Sequence, residues 1–217
     1  MDWQVIPDNL GFLLKGLAVT LQLALMAMVL SFPLGTLAAM ARLARRPWLH
    51  WPAVLYVELV RGIPLIMVIF WFYFFLPIAT GRSLDNFTSA LVAFIIFEGA
   101  YMAEIIRAGI QSVPRGQVDA SLSTSLTTLQ MMRYVILPQA FRNMLPSLVT
   151  QFIILFKDTS LAYIIGVIEL TRAASIVSQR EIRPFELYVF IAVVYWVFTF
   201  ALSRLSRLLE IRLSHRA

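Results

Sequence analysis

Cysteine is absent from the 217 residues and histidine occurs only twice. The first absence excludes a disulfide framework, a thiolate metal site and a cysteine nucleophile. The second leaves His50 and His215 as remote singletons, so no metal site is expected. Charge is scarce as well, at 14% of residues against about a quarter in an ordinary globular chain. A phosphate-cradling GxxxxGK[ST] segment is missing, so any ATP hydrolysis would have to sit on another chain. No Ser/His, paired-Asp or His-rich constellation has workable spacing, which argues against an intramembrane enzyme. No repeat, low-complexity tract or second domain is visible. The chain is read as a single unit over residues 1–217.

What is abundant is apolar surface. Hydrophobic residues make up 60% of the chain and the mean hydropathy is +0.80. Each bilayer crossing needs roughly 20 apolar residues, and the uncharged runs supply about five of them. The pattern predicts an all-α integral membrane protein with spans over residues 16–41, 51–78, 87–107, 144–168 and 187–203. Asp2 and Asp8 stand where a secretory signal would carry basic residues, so the first span is expected to be retained.

Orientation follows from Lys/Arg bias, because cytoplasmic flanks carry the excess. One side collects Arg42, Arg45, Arg46, Arg107, Arg115, Arg133, Arg142, Arg204, Arg207, Arg212 and Arg216. The other has Lys15, Arg82, Arg172, Arg180 and Arg183, two of them beside Glu181 and Glu186. The N-terminus is therefore expected outside and the C-terminus in the cytoplasm. The net charge of +6 is read as this bias and not as a nucleic-acid surface. Residues 108–143, punctuated by Pro114, Gly116 and Pro138, read as short cytoplasmic helices outside the lipid core.

Charges within the spans are costly and invite a functional account. Glu58 and Arg61 share a helix face, so they either neutralise each other or, with Gly62 and Pro64 opening the helix, border a substrate path. Glu104 and Arg107 read as a structural pair. Glu98 has no basic neighbour at helical spacing and needs a partner from another helix or from water. Lys157, Asp158, Thr159 and Ser160 bring a cation, an anion and hydroxyls together, as an amino acid's ammonium and carboxylate require. An interhelical salt bridge is the competing account. The substrate-path candidates are thus Arg61, Glu98, Lys157, Asp158, Thr159 and Ser160.

Four stretches carry a family resemblance. Gly116-Gln117-Val118-Asp119-Ala120-Ser121 followed by Met131 to Ala140 resembles the EAA loop of bacterial ABC importer permeases. Glu98 to Ser112, Lys157 to Leu161 and Glu58 to Leu65 are similar to the polar amino acid permeases of that group. The resemblance implies a cytoplasmic coupling loop between spans three and four, with Gly116, Asp119, Ala120, Ser121, Ser125, Leu137 and Pro138 at its motif positions, and a second short helix ended by Leu137-Pro138. It further implies two ATP-binding-cassette subunits that hold ATP and Mg, and a second permease, either homologous or a copy of this chain. An extracytoplasmic binding protein, a multi-pass place in the bacterial inner membrane, and no enzyme activity or bound cofactor on this chain complete the expectation. Asp119, Ala120 and Ser121 stand in place of Glu-Ala-Ala, and Ser125 in place of a glycine. If that glycine serves a left-handed turn, Ser125 costs on the order of 1 kcal/mol. The surroundings of Glu98 and Trp71 look most like permeases for glutamate and aspartate. Another polar or cationic amino acid, or an ion-coupled secondary transporter, are the alternatives.

The orientation is directly testable in a cysteine-free chain. A cysteine at Ser123 should be labelled only from the cytoplasmic side and one at Asn86 only from outside, and the reverse pattern would overturn the topology.

Overall fold

The computed structural model describes residues 1–214, with side-chain surroundings through residue 208. His215 and Arg216, and the side chain of Arg212, lie outside the described residues. A short α1 (Val5–Asp8) leads into α2 (Leu10–Leu43), and α3 (Pro47–Arg61) follows after a three-residue link. Gly62-Ile63-Pro64 then separates α3 from α4 (Leu65–Phe70), which continues through a π-helical turn, Trp71–Phe75, into α5 (Leu76–Thr80). Gly81 ends α5 at φ +68°, a left-handed cap that glycine adopts without strain. Asp85 starts α6 (Asn86–Gln111) by accepting the Thr88 backbone N–H at 3.0 Å.

Next come α7 (Arg115–Ser123) and α8 (Thr128–Met131), the latter opened by a capping box of Thr127 and Gln130. A π-helical turn, Met132–Ile136, joins α8 to α9 (Leu137–Asp158), and a 3₁₀ segment, Thr159–Ile165, extends it. The chain closes with α10 (Leu170–Glu181) and α11 (Pro184–Ser214), and there is no strand among the described residues.

Four segments are long and apolar enough to cross a bilayer: Leu10–Leu43, Asn86–Gln111, Thr128–Ile165 and Pro184–Leu208. The remaining candidate is the pair Pro47–Arg61 and Leu65–Thr80, whose axes meet at 107°. Within the stretch 51–78 the Gly62 and Pro64 pair, expected to open the helix, breaks it into two pieces. The end expected at Leu137-Pro138 is corrected. Pro138 falls in the first turn of α9, where its missing N–H costs little, and the helix runs on from Thr128. At Lys157 to Ser160 the helix tightens into the 3₁₀ segment without a break. Helices α10 and α1 are additions to the pattern expected from hydropathy, being too polar or too short to register as apolar runs.

The bundle is assembled on α2 and α6. Gly16, Thr20, Ala24, Ala27, Ser31, Gly35 and Ala38 form a buried stripe of small residues at three- and four-residue spacing along α2. Small residues let membrane helices approach closely. At Gly35 a Cβ would collide with Met102 of α6, and at Gly99 it would meet Leu34 Cδ2 at 2.7 Å and the Tyr56 hydroxyl at 2.8 Å. Near the other end of α2, Gly16 admits α10, where a Cβ would stand 2.8 Å from that of Ala173.

Glu169 fixes this last contact. It is wholly buried, accepting the backbone N–H groups of Thr171 and Arg172 at 2.8 Å each, and the Tyr195 hydroxyl at 3.3 Å. The Thr20 hydroxyl accepts the Leu170 N–H at 3.1 Å. Burial without a cation pushes the Glu169 carboxyl up from 4.5 to about 7, against the opposing pull of those donors. The folded chain thus holds a proton that the unfolded chain has released. This stability is fully present below the unfolded value of 4.5 and is lost as pH rises through about 7; the total is about 3 kcal/mol. Amide exchange across α10, corrected for intrinsic rates, should be slower near pH ~5 than near pH ~8. Glu169→Gln should erase the difference, and a wild-type chain indifferent to pH would refute this account of the cap.

Candidate functional site

The polar groups expected to mark a substrate path fall into separate places. Glu98, on α6, is fully buried, and Gln151 of α9 donates to its Oε2 at 2.9 Å. Its Oε1 is the buried side-chain atom left without a partner among the described residues. Asp158, half-buried one helix away, is near enough to add like charge. Sequence spacing calls for a partner from another helix, and Gln151 is that partner. An uncharged amide on an apolar helix carries no signal of its own, so the sequence does not single it out.

Lys157 is exposed, while Thr159 turns inward and donates its hydroxyl to the Phe156 carbonyl at 2.7 Å. Thr159 therefore does not share a surface with Lys157. Lys157 instead lines a groove of about 350 Å³ between α9 and α11 with Thr150, Ser203, Ser206 and Arg207. Charge bias alone marks Arg207 only as a cytoplasmic flank. Along α9, Asn143, Ser147, Thr150 and Lys157 are exposed at three-, four- and seven-residue intervals, whereas Met144, Leu148, Gln151 and Leu155 are buried. A polar stripe of this kind on a crossing helix requires water or protein beside it, since lipid would leave it unsolvated.

Arg61 has a different setting. Arg42, Arg61 and Arg107 converge on Glu104: Arg42 and Arg107 make close ion pairs, and Arg61 stands 3.7 Å away. Arg61 also lies over the Tyr101 ring, 5.1 Å from its centroid. The mutual neutralisation considered for Glu58 and Arg61 is not what forms. Glu58 is exposed and has no ion pair among the described residues, while Arg61 is held over the Tyr101 ring beside Glu104.

The segment before α9 forms a small subdomain. Val113, Met131, Ile136 and Ala140 bury against Ile110, Val118, Leu126 and Met132. Asp119 and Ala120 are exposed on α7, while Ser121 is buried and donates to the Gln117 carbonyl at 2.6 Å. Leu122 and Leu129 remain 55% and 78% exposed. Ser125 has φ +58°, the left-handed conformation for which a glycine is suited.

Residues 31–215 match the profile of the "binding-protein-dependent transport system inner membrane component" family. The chain belongs to that family. As such it is a multi-pass inner membrane protein, and the polar amino acid importer resemblance holds over nearly its full length. It is 43% identical to the glutamate/aspartate import permease protein GltK of Escherichia coli O6:H1, covering 97% of both chains. It is 38% identical to the probable glutamine ABC transporter permease protein GlnP of Bacillus subtilis, covering 94% of this chain and 95% of that one. The fold matches the crystal structure of an amino acid ABC transporter with histidines at a TM-score of 0.93 and 35% identity, over 98% of this chain and 99% of that one. A chain of the inward-facing MetNI methionine ABC transporter matches at 0.74 over 93% of this chain and 98% of that one; at 20% identity it shows the fold alone.

The Ser125 backbone yields a stability test. Ser125→Gly should stabilise the loop by about 1 kcal/mol, read as slower amide exchange over residues 115–131, and Ser125→Val should loosen it. Equal exchange in the glycine variant and the parent would show that the left-handed turn carries no strain.

Proposed function

We propose that this chain is the permease subunit of an ATP-driven, binding-protein-dependent importer of acidic amino acids. The observation that carries the cargo reading is the groove holding Lys157 and Arg207 beside three hydroxyl side chains, on the face of α9 that cannot meet lipid. Two cations suit a molecule with two carboxylates. The likeness to GltK supports the same cargo. The likeness to GlnP keeps a neutral amide in view, and the Glu98 and Asp158 pair would equally suit a cationic side chain.

In this reading ATP and Mg belong to two separate cassette subunits, and α7 is the coupling helix that docks on one of them. The exposed Asp119, Ala120 and Leu122 support that role, since an apolar side chain left bare on a helix outside the crossing segments is suited to a protein partner. The unbroken helical path from α8 through α9 ties this surface to Gln151 and Lys157, so a push on the loop moves the groove. A second permease, either a copy or a homologue, closes the path against the exposed polar stripe. An extracytoplasmic binding protein delivers cargo to the other side. Arg61, engaged by Glu104 and Tyr101, serves here as a structural cation, and Lys157 is the leading cargo contact.

The deciding experiment is uptake by the reconstituted importer of glutamate, aspartate, glutamine and histidine in competition. Lys157→Gln and Arg207→Gln should each weaken glutamate transport about ten- to a hundredfold in apparent affinity, as expected for losing a charge-assisted contact of roughly 1.5–3 kcal/mol. Unchanged glutamate affinity in both variants, after assembly is verified, would remove this groove from cargo recognition.

A further inference from the structure

The helix α3 carries a surface that neither the crossing nor the cargo groove uses. Trp48, Trp51, Leu55 and Leu59 form one exposed stripe along it, at 65%, 66%, 65% and 48% exposure. Ala53, Val57 and Val60 form the buried stripe that packs on α2 and α6. His50, Glu58 and Arg61 occupy a third, polar sector between the two. A helix crossing hydrocarbon has no use for such a polar sector, whereas a helix lying at the membrane surface has three environments to satisfy.

Contacts at the two ends of α3 set its inclination. Near its start, the His50 ring nitrogen Nδ1 is 2.7 Å from the Arg42 carbonyl. At its end, Arg61 reaches Glu104, the carboxylate that Arg42 also binds. Residues 50 and 61 are therefore tied to the same end of α2 and α6, although they lie about 16 Å apart along the helix. Tyr56, on the flank away from His50 and Arg61, reaches the middle of α6 and donates its hydroxyl to the Ile96 carbonyl at 2.6 Å. One flank thus looks toward the deeper part of α6 and the other toward its charged end. The 107° turn at residues 62–64 then points Leu65–Thr80 away from the axis of α3.

We propose that α3 is an amphipathic helix lying in the plane of the inner leaflet, with Trp48, Trp51, Leu55 and Leu59 seated at the headgroup boundary of an anionic phospholipid monolayer. Charge complementarity selects that occupant. Arg45 and Arg46, exposed and without an ion pair among the described residues, stand immediately before the stripe. Tryptophan at the level of basic residues is the composition that interfacial helices use, and each basic residue near an anionic surface strengthens binding by about a factor of five. By anchoring α3, the leaflet holds one side of the Gly62 to Pro64 corner, and Leu65, Val68 and Ile69 of α4 hold the other side in the core. The leaflet assignment rests on the N-terminus-outside orientation; the in-plane geometry does not.

The absence of cysteine makes depth measurement direct. Spin labels at Trp48→Cys, Leu55→Cys and Leu59→Cys, one at a time, are read in the assembled importer by collision with oxygen against a water-soluble nickel chelate. An in-plane helix places all three at one shallow depth. Depth that climbs by about 16 Å from residue 48 to residue 59 would make α3 a crossing helix and overturn the proposal. Labels shielded from both reagents would show a second permease covering the stripe, which overturns it equally. In a second arm, uptake is compared in phosphatidylcholine vesicles with and without about a third phosphatidylglycerol. Wild type should be stimulated, and Arg45→Gln/Arg46→Gln should lose the stimulation while Arg45→Lys/Arg46→Lys keeps it. Stimulation that is absent in wild type or intact in the glutamine variant would eliminate the anionic-lipid contact. Labelling of Ser123→Cys from outside would instead reverse the leaflet and leave the depth result standing.

Discussion

Close van der Waals contact holds helices together where lipid removes most of the hydrophobic drive, and in this chain that contact is the seam between α2 and α6. Gly35 against Met102, and Gly99 against Leu34, bring the two backbones to a separation that any side chain larger than hydrogen would forbid at those positions. The rest of the bundle takes its place from that seam. Arg42 and Glu104 meet because α2 and α6 lie together at that end, and α3 is then fastened across both through His50, Tyr56 and Arg61. At the other end Gly16 admits α10, and the Glu169 carboxyl orders the first turn of that helix.

Polar groups are distributed along the bundle according to what can compensate them. Glu104 makes close ion pairs with Arg42 and Arg107, so its charge is compensated locally and it serves structure. Glu98 has one amide for two carboxylate oxygens, and it leaves an acceptor unfilled in the interior. Lys157 and Arg207 line an open groove with hydroxyls and no carboxylate in its lining. Incomplete compensation is expensive in a low-dielectric setting and is retained where a transported molecule completes it. That contrast separates Glu98, Lys157 and Arg207 from Arg61, which composition alone places in the same class.

The proposed transport role also gives meaning to the continuity of α8 and α9. A loop that docks on an ATPase transmits force only if the connection to the path is stiff. The π-helical turn at Met132–Ile136 and Pro138 in the first turn of α9 preserve the helix where a sequence reading expects it to stop. Ser125 absorbs the reversal between α7 and α8 in a left-handed conformation. The strain is confined to an exposed corner, away from the small core of Val113, Met131 and Ile136.

The sequence by itself determined the membrane class, the number of apolar runs and the family motifs, because hydropathy is a sum over neighbouring residues and a bilayer has one thickness. It also located Glu98 as a charge in need of a partner, and Ser125 as the residue occupying a turn position. What it could not decide were relations between residues distant in the chain. Arg61 has Glu58 three positions away, yet lies against Glu104 because α3 turns across α6. Gln151 gave no local signal and Arg207 only that of a basic flank, and their importance comes from Glu98 and Lys157 beside them. The 107° corner after Arg61 was signalled by Gly62 and Pro64, but its angle depends on how α3 is tied at both ends to α2 and α6. Local composition sets which segments leave water; only packing sets which side chains then face one another.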